Sequence, residues 1–241
     1  MPSYYNTGYT EVRRDILFYY EHALSSGTQP LPQIETTNMA VVPDGAEMIL
    51  DHTLMTEGVV PAFTPNWNSN VYATEITSER IRIAFSVEAD SRGRSLDFVV
   101  SRGTREAVTP DAVSHTITHN LASATTNIFI STSWNTVVYR TSKLTNSMTV
   151  AFSTPAPAGS YLYWSRHNQD NDITGTASVT AGSNTATIEH NAGWALLPIF
   201  LLPDWNTTIL YVNKTNPNQT VVKFSSPPYA TGSLDYRVKF L

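Results

Sequence analysis

The chain contains no cysteine. That excludes disulfide bridges and thiolate metal sites, and leaves the redox compartment open. Charge is also scarce. Asp, Glu, Lys and Arg make up 15% of the 241 residues, against roughly 25% in an average soluble domain. The net charge is −5, and Lys and Arg never cluster, so the chain lacks the basic face of a nucleic-acid binder. No apolar run reaches the ~18 residues of a membrane-spanning helix, so no membrane span is expected. Met1 to Thr10 is polar and aromatic, with neither basic n-region nor apolar h-region, so no secretory leader is expected. Enzyme signatures are missing too: no nucleophile elbow, no phosphate-binding glycine loop, no His-Glu-x-x-His run. The sequence thus leads us to expect no enzyme and no cofactor.

What the chain does have is one stretch used three times. Its landmarks are a histidine (His52, His119, His190), a tryptophan followed by asparagine (Trp67-Asn68, Trp134-Asn135, Trp205-Asn206) and a strand ending in Phe-Ser (Phe85, Phe152, Phe224). Histidine to tryptophan is 15 residues in every copy, and tryptophan to phenylalanine is 18, 18 and 19. Apolar residues alternate in the strands that end in phenylalanine: Ile81, Ile83, Phe85, then Met148, Val150, Phe152. That is the period of a half-buried strand. In the closing strand Leu234, Tyr236 and Val238 share one face, and Asp235, Arg237 and Lys239 the other. The pattern places Asp97 and Asp235 on the solvent side.

The expected fold is all-β: three tandem small antiparallel β-sandwich repeats of about five strands each, spanning 39–103, 104–172 and 173–241. A unit of about 65 residues with no staple is marginal alone, so the units should bury surface against one another. They can stack in a row or close about a pseudo-threefold axis, and the number three favours closure. The segment 178–187 around Gly182 reads as a β-hairpin. Residues 1–38 form a separate leading segment: an arm with Tyr4, Tyr5 and Tyr9, a helix over Glu11 to Leu24, and a stiff connector through Pro30 and Pro32. The helix places Ile16 and Tyr19 or Tyr20 on one face, against the β body or against another subunit. The second possibility would make Tyr4, Tyr5, Tyr9, Ile16, Tyr19 and Tyr20 partner-docking residues, and it allows a homo-oligomer.

Two sets of residues are candidates for chemistry. His52, His119 and His190 each follow an apolar residue by two, so they share its face. They read as core histidines, or as three imidazoles meeting on an axis to hold a metal. His115 and His119 lie about 13 Å apart on a strand, too far for one ion. The Trp-Asn pairs read as core anchors at strand ends, or as exposed sugar-stacking platforms with Trp67, Asn68, Trp134, Asn135, Trp205 and Asn206 as ligand residues. The flanking apolar residues argue for burial.

The order of histidine, apolar strand, Trp-Asn-Thr, Phe-Ser, a Pro-Ala-Pro-Ala-Gly loop and an aromatic closing strand resembles small β-sandwich modules of bacteriophage virion proteins. Such modules occur in head fibres, capsid decoration proteins and tail appendages, and are loosely similar to H-type lectin domains. The resemblance covers Met39 to Leu241, except that Ser91-Arg92-Gly93-Arg94 replaces the proline-rich loop in the first copy. It implies a non-enzymatic virion component that aids host attachment, with other virion proteins as partners and the leading segment as the fastening. A carbohydrate-binding protein meeting host-surface glycan is the alternative.

Overall fold

The computed structural model describes residues 34–40, 46–52, 54, 58–88, 95–124, 127–165, 172–194 and 197–238. The tyrosine arm, the expected helix, the 91–94 loop and Lys239 lie outside the described residues. The described chain is all-β, in three units of six strands each. Unit 1 contains β1 (Ile34–Ala40), β2 (Glu47–Asp51), β3 (Val59–Pro65), β4 (Val71–Ile76), β5 (Arg80–Phe85) and β6 (Ser95–Arg102). Unit 2 contains β7 (Thr104–Ala107), β8 (Ser114–Thr118), β9 (Phe129–Thr132), β10 (Val138–Lys143), β11 (Ser147–Phe152) and β12 (Tyr161–Ser165). Unit 3 contains β13 (Ile173–Val179), β14 (Thr185–Glu189), β15 (Ile199–Pro203), β16 (Ile209–Asn216), β17 (Gln219–Phe224) and β18 (Gly232–Val238).

Every unit is the same two-sheet sandwich. One antiparallel sheet has the order first, sixth, third strand, and the other second, fifth, fourth. This topology corrects three expectations. Residues 34–38 of the expected connector belong to β1, which pairs with β6 from Ile34↔Ser101 to Ala40↔Ser95. Unpatterned sequence can still be a strand when a neighbour supplies its ladder. The first unit therefore starts earlier than residue 39 and has six strands rather than five. The segment around Gly182 is not a hairpin: β13 pairs with β18, and β14 with β17. Gly182, at φ +77°, turns the chain across the sandwich from one sheet to the other. A positive φ suits glycine in either kind of turn, so the local signal is the same.

The units close into a ring. The fourth strand of each packs on the third strand of another: β4 on β9, β10 on β15, β16 on β3. All three junctions are present and use the same pair of strands, which is the pseudo-threefold alternative rather than a row. Closure buries the second face of the closing strands. In β6, Leu96, Phe98 and Val100 face the core of unit 1, while Val99 meets Phe200 of unit 3. Asp97 and Asp235, expected on the solvent side, are only 2% and 3% exposed. Alternation says which residues share a face, and not what covers that face.

A buried carboxylate needs a partner. Lys214 of unit 3 supplies it for Asp97, with Nζ 2.6 and 2.8 Å from the two oxygens, and the Ile199 amide donates to Asp97 Oδ2 at 3.0 Å. Lys143 of unit 2 does the same for Asp235 at 3.0 Å, helped by Arg140 at 3.1 Å and by the Thr176 hydroxyl at 2.7 Å. At the remaining junction the corresponding residues are Ile76 and Tyr163, both in the apolar core of unit 1. Arg237, buried on the same side of β18, lies 3.2 Å from Asp172. Desolvation pulls its pKa below the usual arginine value, and the Asp172 charge opposes that shift.

Removing one partner of a buried pair leaves an uncompensated charge. Lys214→Met should therefore lower unfolding stability by about 3–5 kcal/mol. Asp97→Asn in the same chain should recover part of that loss. Chemical denaturation of the two single variants and the double variant measures the coupling.

Candidate functional site: the axial end with the Trp-Asn turns

The two ends of the ring differ. Strand β1 begins beside Ser101, β7 beside Trp164 and β13 beside Val238, all at the finishing ends of the closing strands. The first strand of every unit therefore starts, and the closing strand of every unit ends, at one pole. The Trp-Asn turns follow β3, β9 and β15, whose last residues pair with Leu96, Leu162 and Leu234 at the starting ends of the same strands. The turns occupy the opposite pole.

Each turn is built alike. The indole N–H donates to a backbone carbonyl: Trp67 to Val87 at 2.9 Å, Trp134 to Thr154 at 3.2 Å, Trp205 to Ser226 at 2.9 Å. Each ring meets the phenylalanine ending its neighbouring strand, with centroids 5.1, 4.8 and 4.9 Å apart. A hydroxyl two residues past the tryptophan (Ser69, Thr136, Thr207) accepts the amides of Val87, Thr154 and Ser226. The serine after the phenylalanine accepts the amides of Asn70, Val137 and Thr208. These mutual bonds explain why Trp-Asn-Ser/Thr and Phe-Ser recur together.

The expected sugar platform is not formed by the rings. Trp67 and Trp134 are buried, Trp205 is half-buried, and the indole polar atoms are used. A stacking platform needs an open face. The asparagines are exposed, and two bind the units together. Asn68 Oδ1 accepts the Thr208 hydroxyl at 2.7 Å, and Asn135 Oδ1 accepts the Asn70 amide group at 3.0 Å. At the corresponding place before Asn206 stands Val137, which has no donor in its side chain.

The histidines do not meet. Each is the first residue after the second strand of its sandwich, at the sheet edge opposite the fourth strand that packs on another unit. Their backbone amides donate to Glu79, Asn146 and Asn218. His52 Nε2 lies 3.2 Å from the Thr77 carbonyl, His119 Nδ1 accepts the Leu121 amide, and His190 lies between the Ala192 amide and the Thr220 hydroxyl. Among the described residues no three His, Asp or Glu side chains could hold a metal ion. His115 pairs instead with Glu106 at 2.7 Å, and Glu106 also accepts the Trp164 indole at 2.6 Å.

On the axis between the turns lies an open pit of about 120 Å³. All three units line it at equivalent positions: Phe63, Ile130 and Leu201 in its depth, Val71, Val138 and Ile209 on its walls. Beneath it, reached past the same three residues of the floor, is a cavity of about 40 Å³ bordered by Asn127, Asp235 and Arg237. That is room for about one water molecule. Sequence reasoning missed the pit and the axial lysines. The signal for the lysines was present, because Ile76, Lys143 and Lys214 each stand nine residues after a tryptophan.

No known family model, curated protein or solved structure matches this chain.

Trp134→Ala should cost about 3–5 kcal/mol, as large-to-small changes in a packed core do. Thermal unfolding would show the loss, and a variant of unchanged stability would contradict the anchoring role. Burial depresses the pKa of His190 below 6.5. The unfolded chain then binds the proton more readily, so this contribution is present above pH 6.5 and is lost as pH falls through the folded value. His190→Gln should flatten the acid limb of the stability-against-pH curve.

Proposed function

We propose that the protein is a non-enzymatic structural or attachment component of a phage-like virion, a decoration, fibre or tail-appendage part. The β ring is its rigid projecting body, and the segment before β1 is its fastening to other virion proteins. The observation that carries this reading is the polarity of the ring. Strand β1 begins at the pole where the closing strands end, and in this reading the opposite pole, with the Trp-Asn turns, points outward. The repeated polar residues also support a scaffold: Asn68, Asn135, Asp97, Asp235 and their partners join unit to unit. The likeness of the repeat to virion β-sandwich modules supplies the particle. A carbohydrate platform at the tryptophans has less support, since their faces are packed on phenylalanine.

Full-length chain carrying Ile16→Asp and Tyr20→Ala tests the fastening. The variant should keep the thermal midpoint of the body and lose incorporation into particles by at least tenfold. Undiminished incorporation would sink the attachment role of the leading segment. Imaging the assembled particle would show which pole faces outward.

A further inference from the structure

We propose that the buried trio of Lys143, Asn127 and Asp235 closes a covalent cross-link, an amide bond between Lys143 Nζ and Asn127 Cγ. The bond goes beyond the preceding reading and does not depend on it. It would give a chain without cysteine a staple that no reductant opens.

The three side chains meet in one dry place. Lys143 ends β10, Asn127 precedes β9, and Asp235 lies in β18. Asn127 and Asp235 are 7% and 3% exposed, and the Lys143 side chain 10%. Lys143 Nζ lies 2.5 Å from Asn127 Oδ1 and 3.0 Å from Asp235 Oδ2. A carbonyl bond is ~1.23 Å long, so the same nitrogen is within about 3.7 Å of Cγ. Reacting atoms poised for attack stand about 3–3.5 Å apart. The amide is also held still. Its Nδ2 donates to the Gly175 and Tyr236 carbonyls at 3.0 and 2.9 Å, which leaves Oδ1 and Cγ turned to the lysine. Ile128, Ile130, Phe200 and Leu202 line the cavity beside Asn127 and Asp235, so little water competes for the carbonyl carbon.

The chemistry balances without any added reagent. Lys143 Nζ passes one proton to Asp235 Oδ2, which frees its lone pair. The lone pair adds to Asn127 Cγ, and the bond from Cγ to Nδ2 breaks. Nζ gives up a second proton as it becomes an amide nitrogen. Both protons end on the departing nitrogen, which leaves as ammonium. Asp235 carries them, and the cavity of about 40 Å³ has room for the one water that completes the relay. Arg140, 3.1 Å from the same carboxylate, and the Thr176 hydroxyl at 2.7 Å hold charge on Asp235. The neutral amine is therefore scarce, and the bond closes slowly.

The other axial lysine lacks this arrangement. Lys214 meets Asp97, but Pro198 stands where unit 2 has Asn127, seven residues before the tryptophan. The N–H that reaches Asp97 there is the backbone amide of Ile199. The third junction has Ile76 in place of a lysine. An ion pair needs only the lysine and the carboxylate. The side-chain amide against Nζ is what adds a reaction, and it occurs once. The bond would join the segment before β9 to the end of β10, and so both sheets of unit 2.

The test uses full-length protein kept for several days at neutral pH, then denatured and weighed by mass spectrometry. The mass should fall below that of the sequence by one ammonia. Trypsin should no longer cut after Lys143, and the peptides holding Asn127 and Lys143 should appear joined. Trypsin should still cut after Lys214. Lys143→Arg, which keeps a cation beside Asp235, should retain the full mass. Asp235→Asn, shown to be folded by near-UV circular dichroism, should link at least tenfold more slowly. A parent protein of full mass would overturn the cross-link. Ammonia lost while trypsin still cuts after Lys143 would overturn it too, since the loss then lies at another asparagine. Asp235→Asn linking as fast as the parent would remove Asp235 as the proton carrier. A link at Lys214 would overturn the need for Asn127. None of these readouts involves a particle, so this proposal and the attachment role fail separately.

Discussion

A lysine nine residues past a tryptophan reaches an aspartate in another unit, and the ring closes on that contact. Two junctions use it, Lys214 with Asp97 and Lys143 with Asp235. The third uses Ile76 and Tyr163 in an apolar core. A charge pair in a dry interface offers little net stability over an apolar pair, because desolvation offsets the attraction. What it does supply is selectivity, since a lysine in the wrong junction would be buried without a carboxylate. In a chain whose three units share one topology, such marks can decide which unit sits beside which.

From closure follows the rest of the architecture. A sandwich of about 65 residues has too little core to stand well alone. Burying the second face of its closing strand against the next unit raises the buried fraction. It also sets the Trp-Asn turns around one axis, where their asparagines can bridge units and a pit remains between them. The turns themselves are held within each unit, by indole, hydroxyl and phenylalanine. The pit at the axis thus lies between three turns that each unit holds with its own residues.

Much of this was legible from residues. The repeat, the strands ending in Phe85, Phe152 and Phe224, and the inner faces of those strands follow from spacing and alternation. Burial at the tryptophans was foreshadowed by their apolar neighbours. Three features were not legible. Asp97 and Asp235 looked solvent-facing, since a polar residue alternating with apolar ones has that appearance whether water or another unit covers it. The turn at Gly182 looked like a hairpin, since a glycine turn serves a crossover equally well. Strand β1 had no pattern to reveal it.

The sequence by itself determined a triplicated all-β chain, since strand period and landmark spacing are local properties encoded within a few residues. Tertiary structure alone decided the ring, the buried charges and the pit. Each of these depends on pairs such as Lys214 and Asp97, 117 positions apart, brought together by packing between units. Alternation along a strand carries no information about a surface that another part of the chain will cover.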